Sequence, residues 1–137
     1  MKDFIVLLAI LPILLALILN HGLINKNSMD EQDVREYVYS AVQIAKQDGY
    51  FTDANIDALK AKIAERMNLD EDEIVIIADS VPKYRVNEFN ESELIHYRIE
   101  VPVKKVVAGN RLFNISDVEN QKIIVIDNEV ASERLAP

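Results

Sequence analysis

The sequence predicts an α+β protein: an N-terminal hydrophobic helix, a helical stem and a second helix, then a three- or four-stranded antiparallel sheet. Three observations carry that reading. Residues 4–19 are sixteen consecutive apolar residues, residues 34–67 repeat apolar side chains at helical spacing, and from Glu73 onward the pattern changes to that of strands. The chain divides accordingly into a hydrophobic membrane or assembly helix, residues 1–25, and an extracytoplasmic α+β domain, residues 26–137.

The first element is apolar all round. At about 1.5 Å per residue, sixteen residues span roughly 24 Å, short of the ~30 Å hydrocarbon core. Adding residues 20–24 supplies the missing length and places the last turn among headgroups. A secretory signal would show a basic leader and an Ala-x-Ala cleavage site. Here Met1-Lys2-Asp3 precedes the run and Asn20-His21-Gly22 follows it, which favours a retained anchor. Lys2 and Lys26 balance one another, so charge alone does not orient the helix. A short leader on one side and an acidic domain on the other predict the N-terminus in and the domain out.

Next comes a polar interruption, Asn25 to Ser28. Ser28 followed by Glu31 fits a capping box, with Asp30, Glu31 and Asp33 where a helix dipole favours acids. Val34, Tyr37, Val38, Ala41, Ile44 and Ala45 then recur at helical spacing up to Asp48-Gly49. The alternative is an anchor helix that runs unbroken through Gly22 into this segment. The second helix starts at Thr52 and carries Ile56, Leu59, Ile63 and Met67 opposite Lys60, Lys62 and Arg66.

Residues 74–78 form a wholly apolar, β-branched run that predicts a buried strand. Tyr84-Arg85-Val86 reads as extended, and residues 87–92 as a turn. Ile95, Tyr97, Ile99, Val101 and Val103 alternate with His96, Arg98, Glu100 and Pro102, the pattern of a half-buried strand with an edge or bulge near the proline. The basic dipeptide Lys104-Lys105 falls in an apolar stretch that reads as strand. Lys122 to Asp127 supplies a last strand, and the acidic tail is expected to be loose.

Composition excludes several functions. With 23 acidic and 15 basic residues, net −8, the chain lacks the basic patch of a nucleic-acid binder. Three glycines leave no room for a Gly-rich phosphate loop, and two distant histidines without cysteine predict no zinc site. The absence of cysteine suits an extracytoplasmic domain without disulfides. Asp70-Glu71-Asp72-Glu73 lacks the alternating ligand spacing and central glycine of a calcium loop, so it reads as a solvated turn. No serine sits in a nucleophile elbow and no carboxylate pair stands out, so neither catalysis nor a cofactor is expected. Asn90-Glu91-Ser92 and Asn114-Ile115-Ser116 match the N-glycosylation pattern. Tyr37, Tyr39, Tyr50 and Phe51 gather around the end of the stem and are expected to pack.

Two residues in the anchor stand out. Asp3 puts an acid at the edge of a membrane helix, and Pro12 removes a backbone donor within it. Asp3 either reaches the interface or neutralises a partner's positive charge, such as a neighbouring N-terminal amine. Membrane helices tolerate such a proline where neighbours satisfy the freed carbonyl. The second reading of Asp3 and the proline both point to helix–helix assembly.

An acid near the start of an apolar helix with an internal Leu-Pro (Asp3-Phe4 through Leu11-Pro12-Ile13-Leu14-Leu15), then a helical stem and a small α+β domain, resembles the type IV pilin-like proteins. It looks most like the TadE-type pseudopilins of tight-adherence pili. Position 5, where that family carries glutamate, is Ile, and Asp3 is the nearest acid. No basic leader ending in Gly precedes the run, so either Met1 is the mature N-terminus or a prepilin peptidase does not act on the chain. The resemblance implies a subunit held in the cytoplasmic membrane before it polymerises into a surface filament with other copies and an assembly platform. It makes Asp3, Phe4, Leu8, Leu11, Pro12 and Leu15 the expected assembly positions. The alternative is a single-span accessory protein that docks onto a secretion or conjugation machine.

Overall fold

A computed structural model describes residues 1–86 and 90–137. Helix α1 (Lys2–Asp48) and helix α2 (Asp53–Met67) precede strands β1 (Val75–Ala78), β2 (Leu94–Val103) and β3 (Lys122–Ala131). The strands form one antiparallel sheet in the order β1-β2-β3, so the protein is α+β with a three-stranded sheet. No fourth strand forms among the described residues. Of the expected turn at residues 87–92, residues 87–89 lie outside the described residues, and Glu91–Glu93 make a 3₁₀ turn.

The chain gathers into two compact units: Met1–Met29 with Val103–Lys122, and Asp30–Pro102 with Ile123–Pro137. Helix α1 contributes to both. Its 47 residues run without a break through Pro12, Gly22 and Ser28, which corrects the expected new helix at Ser28. A serine gains from capping only where the chain before it leaves the helix. A single glycine costs about 1 kcal/mol in a helix, too little to interrupt so long a run.

The second unit holds the hydrophobic core. Asp30, Val34, Val38, Ala41, Val42 and Ala45 of α1 are buried, as are Leu59 and Ile63 of α2. Thr52 caps α2 by accepting the Asn55 amide at 3.2 Å, and Asn68 closes it in the left-handed conformation. Asn55, itself buried, donates to the Ala41 carbonyl at 2.9 Å and ties α2 to α1. Between the helices, Gly49 adopts φ +82°, and a Cβ there would collide with the Lys83 carbonyl. The glycine carbonyl accepts the Lys83 amide at 2.8 Å, so the close approach is itself bonded.

In the sheet, Val75 opposes Glu100 and Ala78 opposes Tyr97. Ile95, Tyr97, Ile99 and Val101 face the core, and the Tyr97 ring lies 5.5 Å from that of Phe51. β1 differs from its expected burial. Ile74, just before it, is 1% exposed, but Val75 and Ile77 are 42% and 62% exposed on the face they share with Glu100 and Arg98. Alternation in a strand sends every second side chain outward whatever its polarity. Pro102 lies beyond Glu100, the last β2 residue opposite β1, where its missing amide removes nothing from that ladder. β2 ends at Val103, so Lys104-Lys105 belongs to a loop rather than a strand.

The C-terminal tail is not loose over its first residues. Ser132 is 2% exposed, its amide donates to the Glu93 carbonyl, and its hydroxyl donates to the Lys83 carbonyl. Glu133 donates its amide to Lys46, and the Arg134 guanidinium donates to the Asp48 carbonyl while lying over the Tyr84 ring.

Candidate functional site

Asp3, Phe4, Leu8, Leu11, Pro12 and Leu15 all lie on the first half of α1, and all are exposed. Phe4, Leu8, Leu11 and Leu15 recur at spacings of four, three and four and therefore share one face. Yet Ile5, Ile10 and Ile13 on the other faces are 44–67% exposed. No part of the most apolar window is buried, and α1 is long and apolar enough there to cross a membrane. An exposed apolar surface this continuous is compatible with membrane anchoring. Because Pro12 has no amide proton, the Leu8 carbonyl four residues earlier lacks its helical donor.

The apolar surface ends at Asn20. Its side-chain amide donates to the Ala16 carbonyl at 2.8 Å, the ordinary helix-backed position. The same side chain accepts the Ala108 amide at 2.9 Å and donates to the Ala108 carbonyl at 3.3 Å. Asn27 donates to the Lys105 carbonyl at 2.8 Å. Two asparagines of α1 thus hold one loop, the segment between β2 and β3. A cleft of about 560 Å³ lies between them, lined by Ile18, Leu19, Gly22 and Leu23 from the helix and by residues 107–110 from the loop.

That loop is internally bonded. Asn120, 3% exposed, accepts the Val106 and Val107 amides at 3.2 and 2.7 Å and donates to the Val107 carbonyl at 2.9 Å. Gly109, at φ +70°, begins the 3₁₀ turn Asn110–Phe113. Asp117 accepts from Arg111 at 2.8 Å and from Asn110 at 2.9 Å, and these bonds hold its carboxyl below the usual range. Ser116 donates both its amide and its hydroxyl to Glu119, which lowers that carboxyl too. Sequence reasoning missed this loop. The signal was the adjacent pair Leu112-Phe113, apolar but without the period of helix or strand.

The remaining candidates resolve simply. Asn90 and Asn114 are exposed, and Asn114 takes the left-handed conformation that closes the 3₁₀ turn. His21 meets Asn25 at 3.3 Å on the helix surface, and His96 pairs with Glu129 at 3.3 Å on the outer sheet face. Glu73 accepts the Asp70 amide at 3.1 Å, so the acidic cluster closes a 3₁₀ turn. No three His, Cys, Asp or Glu converge on a metal position among the described residues. Phe51 is 2% exposed, whereas Tyr39 is 66% exposed and so does not join the expected packing.

Two ionic arrangements in the second unit were not legible in the sequence. Arg66 of α2 meets buried Asp30 at 2.9 Å and Asp33 at 2.6 Å, and these partners, Asp33 first, raise its pKa. Separately, Glu93 is 4% exposed and its Oε1 has no hydrogen-bond partner among the described residues. It lines a cavity of about 340 Å³ with Lys46, Arg85 and Ser132.

Comparison with family models, with curated proteins and with solved structures returned no match.

Proposed function

We propose that this chain is a pilin-like structural subunit, held in the membrane by the first half of α1 before that helix passes into a bundle of identical helices in a surface filament. The observation that carries the reading is the unbroken α1. Its apolar residues 4–19 are exposed all round, while residues 30–45 of the same helix supply buried core positions. Such a helix can exchange lipid contacts for contacts with copies of itself without refolding the domain it belongs to.

Asp3 and the Leu8 carbonyl provide specific terms for that exchange. A carboxylate carried into a helix bundle needs a paired positive charge, since an uncompensated buried charge costs several kcal/mol. The N-terminal amine of a neighbouring copy supplies it. The Leu8 carbonyl, freed by Pro12, accepts a donor from an adjacent helix. The proposed bilayer orientation is N-terminus in, with residues 26–137 outside the cytoplasm.

The test is assembly in cells expressing Asp3→Ala. Surface filaments seen by electron microscopy with the native chain, and lost with Asp3→Ala, support the proposal. Normal filaments with the variant remove the charge-pairing mechanism. A native chain that stays as discrete monomers or small complexes in detergent and on cells favours a single-span accessory protein docking on a secretion machine.

A further inference from the structure

We infer that the loop of Val103–Lys122 is a second membrane-contact element, whose exposed apolar tip enters the interfacial layer of an anionic bilayer beside the α1 span. This rests on the membrane-anchored reading of α1 and adds to it a contact which that reading does not require. Both elements belong to one compact unit.

Depth follows from the helix. If residues 4–24 fill the hydrocarbon core at about 1.5 Å per residue, Asn20 lies within the last turns of the span. The loop is attached there. Lys105 is bonded to Asn27, and Ala108 is bonded to Asn20. Three loop residues therefore run some seven helix positions toward the apolar segment, roughly 10 Å of descent. The 3₁₀ turn that follows Gly109 is thus at the level where the apolar run ends.

The chemistry of the tip fits that level. Leu112, Phe113 and Val118 are 84%, 55% and 80% exposed, large apolar side chains left open to the surroundings. An interfacial element combines such residues with basic groups that meet lipid phosphates. Residues 104–121, between β2 and β3, contain three basic and two acidic residues, whereas the whole chain is net −8. Asp117 is bonded to Arg111 and Asn110, and Glu119 to Ser116, so both acids are engaged inside the loop. A loop of opposite charge to its own protein, apolar at its tip and bonded to the last turns of the span, matches an anionic lipid surface.

The chain has no tryptophan, so a single Phe113→Trp in the full chain reports on this position. The protein is reconstituted into vesicles of zwitterionic and anionic phospholipid, with and without lipids brominated near the headgroup end of the acyl chain. Leu11→Trp in the span serves as the reference. The expected result is blue-shifted emission from Phe113→Trp and about a two-fold loss of intensity with brominated lipid, strengthened by anionic lipid. Adding Lys104→Gln and Lys105→Gln is expected to weaken the dependence on anionic lipid. Water-like, unquenched emission from Phe113→Trp beside quenched Leu11→Trp overturns the loop contact and leaves the anchor standing. Blue-shifted but unquenched emission also overturns it, because a second copy then covers the tip. If Leu11→Trp is unquenched as well, the anchored reading itself has failed. Leu112→Trp repeats the measurement at a more exposed position should Phe113→Trp disturb the turn.

Discussion

Ile74 and Ile77 belong to one apolar run of the sequence, yet the structure puts them in opposite solvents. Ile74 is 1% exposed and Ile77 is 62% exposed. Replacing Ile by Ala removes three carbon atoms. At about 0.8 kcal/mol each, full burial accounts for about 2.4 kcal/mol, and the unfilled space adds more, so Ile74→Ala should cost about 3 kcal/mol. At Ile77 only a minor part of that surface is removed from water, and the loss should be about 0.5–1 kcal/mol. The assay is urea unfolding of the full chain in non-ionic detergent, followed by the fluorescence of its five tyrosines. With a slope of about 1–2 kcal/mol per molar urea, the Ile74→Ala midpoint should fall by about 1.5–3 M and the Ile77→Ala midpoint by less than about 1 M. Equal shifts, or the larger shift at Ile77, would refute the assignment of faces in β1 and with it the register against β2.

Further outcomes follow from other positions. Gly49→Ala should destabilise the second unit by more than about 1 kcal/mol, because its positive φ and the adjacent Lys83 carbonyl both oppose a side chain; thermal unfolding checks this. The Asp117 and Glu119 carboxyls are depressed by their loop partners, so their contribution is present above the ordinary carboxylate range and is lost as pH falls through the lowered values. The Ser116 amide resonance should therefore titrate below the ordinary glutamate value of 4.5, and a midpoint at or above it contradicts the bonding described. Burial raises the Tyr97 phenol, so the folded state should lose stability as pH climbs above 10.0, and Tyr97→Phe should flatten that slope in alkaline unfolding curves.

Parts of this fold could be read from side-chain pattern and parts could not. α2 and β2 were legible because their polar and apolar residues alternate with the period of the element, and Thr52 supplied a local cap. β1 was not, because a run such as Ile74 to Ala78 gives no polar residue to mark its wet face. The continuity of α1 was undetermined because Ser28 and Glu31 have the right spacing for a cap whether or not the chain turns there. The apolar surface of residues 4–19 was legible as an unbroken run, but that it is exposed on every face is seen only in the structure. The loop before β3 escaped because its order comes from Asn20, Asn27 and Asn120, whose partners are backbone groups that no sequence pattern names. The same holds for Ser132 and Arg134, which tie down a tail that reads as loose because it is short and polar.

The bond between Asn20 and Ala108 joins residues 88 positions apart, and this sets an order of events during synthesis. At about 5–20 residues per second, the ribosome makes Asn20 some 4–18 s before Ala108. During that interval Asn20 has its bond to the Ala16 carbonyl within the helix but not the pair of bonds to Ala108. The loop then reaches a helix already in place, so the last part of this unit to be translated fastens onto the first.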